Sequence, residues 1–123
     1  MSSKRILLIP DAYLGDYSGA YVAQIAKRLI QDMGHCVAVF TAETDSFFTE
    51  EDGTEVYPQK KFNSLAYWKE SDYIRNYNYV LDCFHPEIVF TLGSVTNKPV
   101  CYWRIARNRG IKTISKIFMK DFF

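Results

Sequence analysis

Residues 6–10 read Ile-Leu-Leu-Ile-Pro, a short continuous apolar run that is closed by a proline. Such a run is typical of a strand buried on both faces of a parallel sheet. Apolar residues then follow the helical period over residues 19–33, and Gly34 stands where a helix would stop. Residues 35–42 predict a second strand. The chain therefore begins with a strand-helix-strand unit, whose crossover we expect to be parallel and right-handed.

The rest of the chain continues this alternation after one interruption. Residues 43–61 are acidic and contain Gly53 and Pro58, which indicates a loop excursion with Val56 and Tyr57 as a candidate short strand. The remaining predicted elements are a helix within residues 62–84, a strand at 88–92, a helix at 97–109 and a strand at 111–119.

These elements predict a single domain over residues 1–123, an α/β fold of the Rossmann-like class with a parallel sheet and helices on both faces. The chain ends on a strand with no covering helix after it. Because parallel sheets need both faces covered, we expect a sheet truncated after its fifth strand. An open sheet edge also predicts self-association.

The charge balance argues against several partners. The formal net charge is +1 and the sequence pI is about 7.7, which gives no support for binding to nucleic acid. Residues 43–55 carry acids without any lysine or arginine, whereas residues 98–120 carry only basic charges. We interpret the basic run as a solvated helix face and strand edge, with peripheral contact to a membrane as the alternative.

The three cysteines, Cys36, Cys83 and Cys101, have no CxxC spacing and stand among apolar or aromatic residues, which predicts reduced core thiols. The apolar stretch near the N-terminus is too short for a signal peptide, so we expect a cytoplasmic protein. No group of histidines, cysteines or carboxylates has the spacing of metal ligands, so no metal site is predicted. The acids at residues 50–52 are interpreted as a solvated run.

Ligands of open α/β sheets bind beyond the carboxyl ends of the strands, so the loops that follow the strands are the candidate sites. The first loop, residues 11–19, has Gly15 and Gly19 just ahead of a helix, where free amides could hold a phosphate or carboxylate. The same glycines could simply serve a tight turn. The loop matches neither GxGxxG nor the GxxxxGK[ST] phosphate loop, which disfavours a plain NAD or ATP site.

Two short motifs carry a resemblance to a known family. Residues 33–37 (Met-Gly-His-Cys-Val) resemble a GH-x-V turn into strand two, and residues 85–89 (His-Pro-Glu-Ile-Val) resemble a P-D-V-V strand start. Together with their order along the chain, they resemble the N-terminal domain of retaining GT-B glycosyltransferases. The resemblance implies the acceptor-side half of an enzyme that transfers a sugar from a nucleotide-sugar donor to a glycan or lipid-linked acceptor, as in polysaccharide biosynthesis. The donor-binding C-terminal domain is absent, so we expect no activity from this chain alone.

The resemblance also assigns roles to the three loops, with the nucleotide sugar as substrate and no other cofactor. The donor phosphates would lie near Gly15, Asp16, Ser18 and Gly19, the acceptor near Gly93, Ser94 and Thr96, and the reacting centre near Lys120 and Asp121. Family members often place a histidine at the end of the last of these strands, where this chain has Met119 followed by Lys120.

Two other interpretations remain open at this point. The first is a non-catalytic module that docks protein or membrane through the basic region. The second is a flavodoxin-like or response-regulator domain, which is less well supported because the first loop lacks an FMN phosphate cradle and no acidic cluster surrounds an aspartate at a strand end. Aromatic residues at 62–84 would mostly pack in the core, or else form a surface for lipid or sugar.

Overall fold

The computed structural model describes residues 3–10, 21–41, 44, 46–59, 70–93 and 97–117. Its elements are, in chain order, β1 (Arg5–Ile9), α1 (Tyr21–Asp32), β2 (Cys36–Thr41), β3 (Phe48–Thr49), β4 (Glu55–Pro58), α2 (Glu70–Phe84), β5 (Ile88–Gly93), α3 (Asn97–Asn108) and β6 (Lys112–Ile117). They form one sheet with the strand order β3-β4-β2-β1-β5-β6. All neighbouring strands are parallel except β3 and β4. The predicted Rossmann-like α/β class is confirmed.

Within residues 43–61, the candidate short strand at Val56 and Tyr57 is confirmed, whereas a second strand there, β3, was not predicted. Val56 and Tyr57 belong to β4, which pairs in parallel with β2 and is as much a part of the sheet as the longer strands. The two-residue strand β3 pairs antiparallel with β4 at the edge. Both segments are too short to show a clear alternation of apolar and polar residues in the sequence. It is the burial of Val56 in the folded chain that identifies this stretch as part of the sheet. The last strand is therefore the sixth in chain order and not the fifth.

Helices cover both faces of the sheet, and strand alternation divides the core into two layers. On one face, α1 contributes Ala23 and Ile30 to a cluster with inward residues of β1, β2 and β4. On the other face, α2 and α3 pack over Leu7 and Phe40. Because both faces of the central strands are buried, consecutive residues 6–9 of β1 are apolar and buried, as the opening run indicated.

The helix ends fix where the next strands begin. At the end of α1, the amide of Gly34 donates to the Gln31 carbonyl and the amide of His35 donates to the Ile30 carbonyl. This pair of bonds is a Schellman motif, and Gly34 takes the left-handed φ of 87° that the motif requires. At the end of α2, His85 takes a left-handed φ of 54° although it is not glycine. Pro86 follows it, so α2 cannot continue.

The cysteine prediction is half right. All three cysteines are free, as predicted, but Cys36 and Cys83 are exposed and Cys101 is only partly buried. Cys36 is the first residue of β2, at the open amino edge of the sheet, and Cys83 lies on the outer side of α2. Apolar neighbours in sequence therefore did not indicate burial. Among the described residues, no helix is long and apolar enough to cross a membrane.

Candidate functional site

The strand order reverses at β1, which makes the carboxyl ends of β1 and β5 a topological switch point. The chain passes from β1 through α1 to β2 on one side, and it later returns through α2 to β5 on the other side. Ile9, the last residue of β1, is aligned with Thr91 near the end of β5. Ligands of open α/β sheets bind at such a switch point. This carboxyl edge is the candidate functional site.

Gly93 is the predicted site residue whose backbone the structure describes. It ends β5 and is aligned with Ile117, the last residue of β6, so the segments that follow β5 and β6 start side by side. The other predicted residues lie outside the described residues: Gly15, Asp16, Ser18, Gly19, Ser94, Thr96, Lys120 and Asp121. Their placement in loops after β1, β5 and β6 stays a prediction.

A buried glutamine, Gln59, forms hydrogen bonds that join strand ends at the carboxyl edge to a helix. Gln59 directly follows β4, and its main-chain amide donates to the Thr41 carbonyl at 2.8 Å. Its side-chain Nε2 donates to the Phe40 carbonyl at 2.9 Å, and its Oε1 accepts from the Tyr102 hydroxyl at 3.3 Å. Only 4% of Gln59 is exposed. This single side chain therefore ties the ends of β2 and β4 to helix α3.

Further hydrogen bonds link side chains beneath the carboxyl edge. We call this set the floor: Gln59, Asn76, Tyr77, Thr91, Tyr102 and Trp103. The side-chain amide of Asn76 on α2 donates to the Gln59 carbonyl at 2.9 Å, and the Tyr77 hydroxyl donates to the Tyr102 carbonyl at 2.8 Å. The indole Nε1 of Trp103 donates to the Thr91 hydroxyl at 2.9 Å, close to the end of β5. Burial raises the pKa of the Tyr77 phenol, so this hydroxyl stays protonated. Every buried side-chain polar atom among the described residues has a hydrogen-bond partner.

The floor is neutral, which limits what it can do chemically. Its side chains are amides, hydroxyls and an indole, and they orient strand ends without supplying a general acid or base. The floor itself therefore supplies no acid, base or cation to a reaction at this edge. No sequence pattern marked Gln59, Thr91 or Trp103, because their partners lie at distant positions in the chain.

The acidic run at residues 50–52 is exposed except for Glu50, which is half-buried, but two of its acids also pair with a lysine. Lys27 on α1 lies 3.2 Å from a Glu50 carboxylate oxygen and 3.1 Å from an Asp52 carboxylate oxygen. Hydrogen bonding from Thr54 and attraction from Lys27 hold the pKa of Asp52 well below its usual range, against a smaller opposing effect of burial. Glu51 is exposed as predicted. This cluster fastens α1 to the turn before β4 and lies away from the carboxyl edge.

No protein-family model matches this chain, and searches of curated proteins and of solved structures find no match. The function has to be argued from the chain's own residues and geometry.

Proposed function

We propose that this chain is the acceptor-side domain of a retaining glycosyltransferase of the GT-B fold, which transfers a sugar from a nucleotide donor to a glycan or lipid-linked acceptor. The observation that carries the proposal is the reversal of strand order at β1. It gathers the segments after β1, β5 and β6 at one edge, which is where a cleft toward a second, donor-binding domain would form.

The positions of the two family-like motifs support the proposal. Residues 33–37 form the Schellman turn of Gly34 and the entry into β2. Residues 85–89 form the turn at His85 and the start of β5. Both motifs thus occur at entries into the central strands, as the resemblance implies. Neither motif touches the candidate edge, so they support the fold of the domain more strongly than its chemistry.

The proposed roles follow the loops. Free amides of Gly15 and Gly19, with Asp16 and Ser18, would face the donor phosphates. Gly93, Ser94 and Thr96 would contact the acceptor, and Lys120 with Asp121 would lie at the reacting centre, where the ammonium group pairs with a phosphate as a point charge. The neutral floor beneath would hold these segments at fixed separations. The proposal places the enzyme in the cytoplasm, without a metal, and leaves this chain inactive by itself.

The test is a nuclear magnetic resonance titration of the chain with a panel of nucleotide sugars and of acceptor oligosaccharides. We expect an acceptor to shift the amides of Ile9, Gly93 and Ile117, at the ends of β1, β5 and β6. Lys120→Met should weaken that binding, whereas Lys112→Met, at the opposite end of β6, should not. The absence of shifts at this edge with every sugar, or equal effects of the two substitutions, would contradict the proposal.

A non-catalytic module that docks a second copy of this chain is the second candidate, and exposed apolar side chains on α1 favour it. Ile25, Leu29 and Met33 recur every four residues and are 45%, 58% and 66% exposed. Lys27 and Gln31 contact the turn before β4, whereas the three apolar side chains lie on another, exposed side of α1. A Leu29→Lys variant that abolishes concentration-dependent association in sedimentation velocity would support docking. Unchanged sedimentation, with the variant and the wild type both monomeric, would remove this candidate.

A further inference from the structure

A second cavity opens at the amino edge of the sheet, at the end opposite the candidate site. Its volume is about 440 Å³, and it is bordered by the first residues of β1, β2 and β4 and by the last residue of α2. Pockets for small molecules typically have volumes of about 300–1,000 Å³. A strand of five residues spans about 17 Å, so this cavity is separate from the carboxyl edge.

Arg5 borders this cavity and is held in a fixed orientation. Its Nε donates a 2.7 Å hydrogen bond to the carbonyl oxygen of Phe84, and its Cζ lies 4.2 Å from the centroid of the Phe84 ring. The hydrogen bond and the cation–π contact together fix the plane of the guanidinium group. Neither terminal amino group donates to a described residue, and no described carboxylate lies within ion-pair distance. The fork of Arg5 is therefore ordered and open to a ligand.

The acids that border the same cavity already have partners. Asp52 accepts hydrogen bonds from the amide and hydroxyl of Thr54 and forms an ion pair with Lys27. Glu55 accepts a 2.6 Å hydrogen bond from the Tyr57 hydroxyl. Among the described residues, both carboxylates therefore have hydrogen-bond donors, whereas the two terminal amino groups of Arg5 have no acceptor. A ligand that meets these two groups has to offer acceptor oxygens, as an oxyanion does.

His35 adds a second donor to the border of the cavity. Its Nδ1 accepts a 3.0 Å hydrogen bond from the main-chain amide of Lys4. In a neutral imidazole the proton then resides on Nε2, which leaves that atom as a hydrogen-bond donor. A ligand at the amino edge would lie near both Nε2 of His35 and the terminal amino groups of Arg5. His35 directly precedes β2, and Arg5 is the first residue of the neighbouring strand β1.

We infer that the amino-edge cavity binds a small oxyanion, a phosphate or carboxylate group, through the two terminal amino groups of Arg5. Guanidinium matches two oxygens of either group in a bidentate pair, which a lysine ammonium does not. The site is independent of the proposed transferase function, since it lies at the other end of the sheet and uses none of the loop residues assigned there.

The experiment is a nuclear magnetic resonance titration of the whole chain with sodium phosphate and, separately, with sodium acetate at constant ionic strength. We expect shifts of the Arg5 Nε–H signal and of the amides of Cys36 and Thr54. Arg5→Lys should weaken binding about tenfold or more, because it keeps the charge and loses the fork. Arg109→Lys is the matched control, since Arg109 pairs with Asp82 and Asn78 outside the cavity. Binding of only one of the two anions assigns the site to that class.

A second readout on the wild-type chain avoids dependence on the folding of the variant. Cys36 borders the cavity and is exposed, whereas Cys83 is exposed and does not border it. Bound anion should slow alkylation of Cys36 by iodoacetamide and leave the rate at Cys83 unchanged. Equal rates at Cys36 with and without both anions would overturn the inference, as would phosphate or acetate affinities that Arg5→Lys leaves unaltered.

Discussion

The phenolic hydroxyl of Tyr77 donates a 2.8 Å hydrogen bond to the main-chain carbonyl of Tyr102 and thereby joins α2 to α3 beneath the sheet. The two rings lie with their centroids 4.4 Å apart, and neither residue is more than 1% exposed. These two helices form the connections into β5 and β6, the strands whose ends border the candidate site. The contact therefore positions strands as well as helices.

Tyr77→Phe should lower the free energy of unfolding by about 1 kcal/mol, because it removes one buried hydrogen bond while the ring packing is kept. Urea denaturation followed by circular dichroism measures the change. Tyr79→Phe is the control, since Tyr79 is 61% exposed. The free energy of unfolding of this variant should differ from that of wild type by no more than about 0.5 kcal/mol. Equal stability of Tyr77→Phe and wild type would show that the buried hydroxyl contributes nothing net.

Asp52→Asn should change the dependence of stability on pH. The pKa of Asp52 is lowered in the folded chain, first by the Thr54 hydroxyl and further by Lys27. Its contribution is therefore complete above the unfolded pKa of about 3.9 and is lost as the pH falls below that value. We expect Asp52→Asn to be less stable than wild type at pH 7, with a difference that shrinks steadily as the pH falls from about 4 to 2, in thermal unfolding at each pH.

The control for this pH profile is Glu51→Gln, in the same turn. Glu51 is exposed and makes no ion pair with a described residue, so its variant should follow the wild-type curve at every pH. If the stability of Asp52→Asn also changes with pH in the same way as that of wild type down to pH 2, the carboxylate is not what fastens the turn to α1.

His85→Gly should raise the free energy of unfolding by about 0.5–1 kcal/mol. His85 has a left-handed φ of 54°, which costs a residue with a Cβ about 1–2 kcal/mol, and the greater freedom of glycine in the unfolded chain offsets part of the gain. Chemical denaturation measures the difference. His85→Ala keeps the strained φ and should give no stabilisation, so a gain with alanine equal to that with glycine would refute the strain argument.

Gln59→Leu should cost about 1–3 kcal/mol, because the Phe40 carbonyl and the Tyr102 hydroxyl would lose their partner in a buried position. Hydrogen exchange in the variant should also accelerate at the main-chain amide of residue 59, which donates to the Thr41 carbonyl in the wild type. Asn108→Leu, at the exposed end of α3, is the control and should change stability by no more than about 0.5 kcal/mol. Wild-type exchange in Gln59→Leu would mean that the floor does not depend on this side chain.

The central elements could be predicted from the sequence because local pattern and tertiary burial agree there. The run at β1 is apolar at every position since both of its faces are covered, and Gly34 marks the end of α1 since the turn needs its φ. Strand β4 could not be predicted with the same clarity. Its four residues lie in an acidic stretch, and only pairing with β2 makes Val56 a core residue.

The candidate site could be placed only at the level of the sheet edge. Parallel strands imply a binding edge at their carboxyl ends, and Gly93 and Ile117 are aligned there. The roles predicted for the loop residues stay predictions. The floor of that edge had no signal in sequence. The hydrogen bond between Gln59 and Tyr102 joins residues 43 positions apart in the chain. A polar residue after a short strand looks the same in sequence whether it is buried or solvated.

The parallel pairing of β1 with β5 also constrains the order of events during synthesis. Arg5 and Glu87, at the entrances of these strands, are 82 positions apart. A ribosome that adds about 5–20 residues per second needs roughly 4–16 s to produce that length of chain. Until then β1 can pair only with β2, and one edge of its backbone has no strand beside it. The nascent chain therefore passes through a stage in which one of its buried strands has an unpaired side, which exposes it to pairing with other chains.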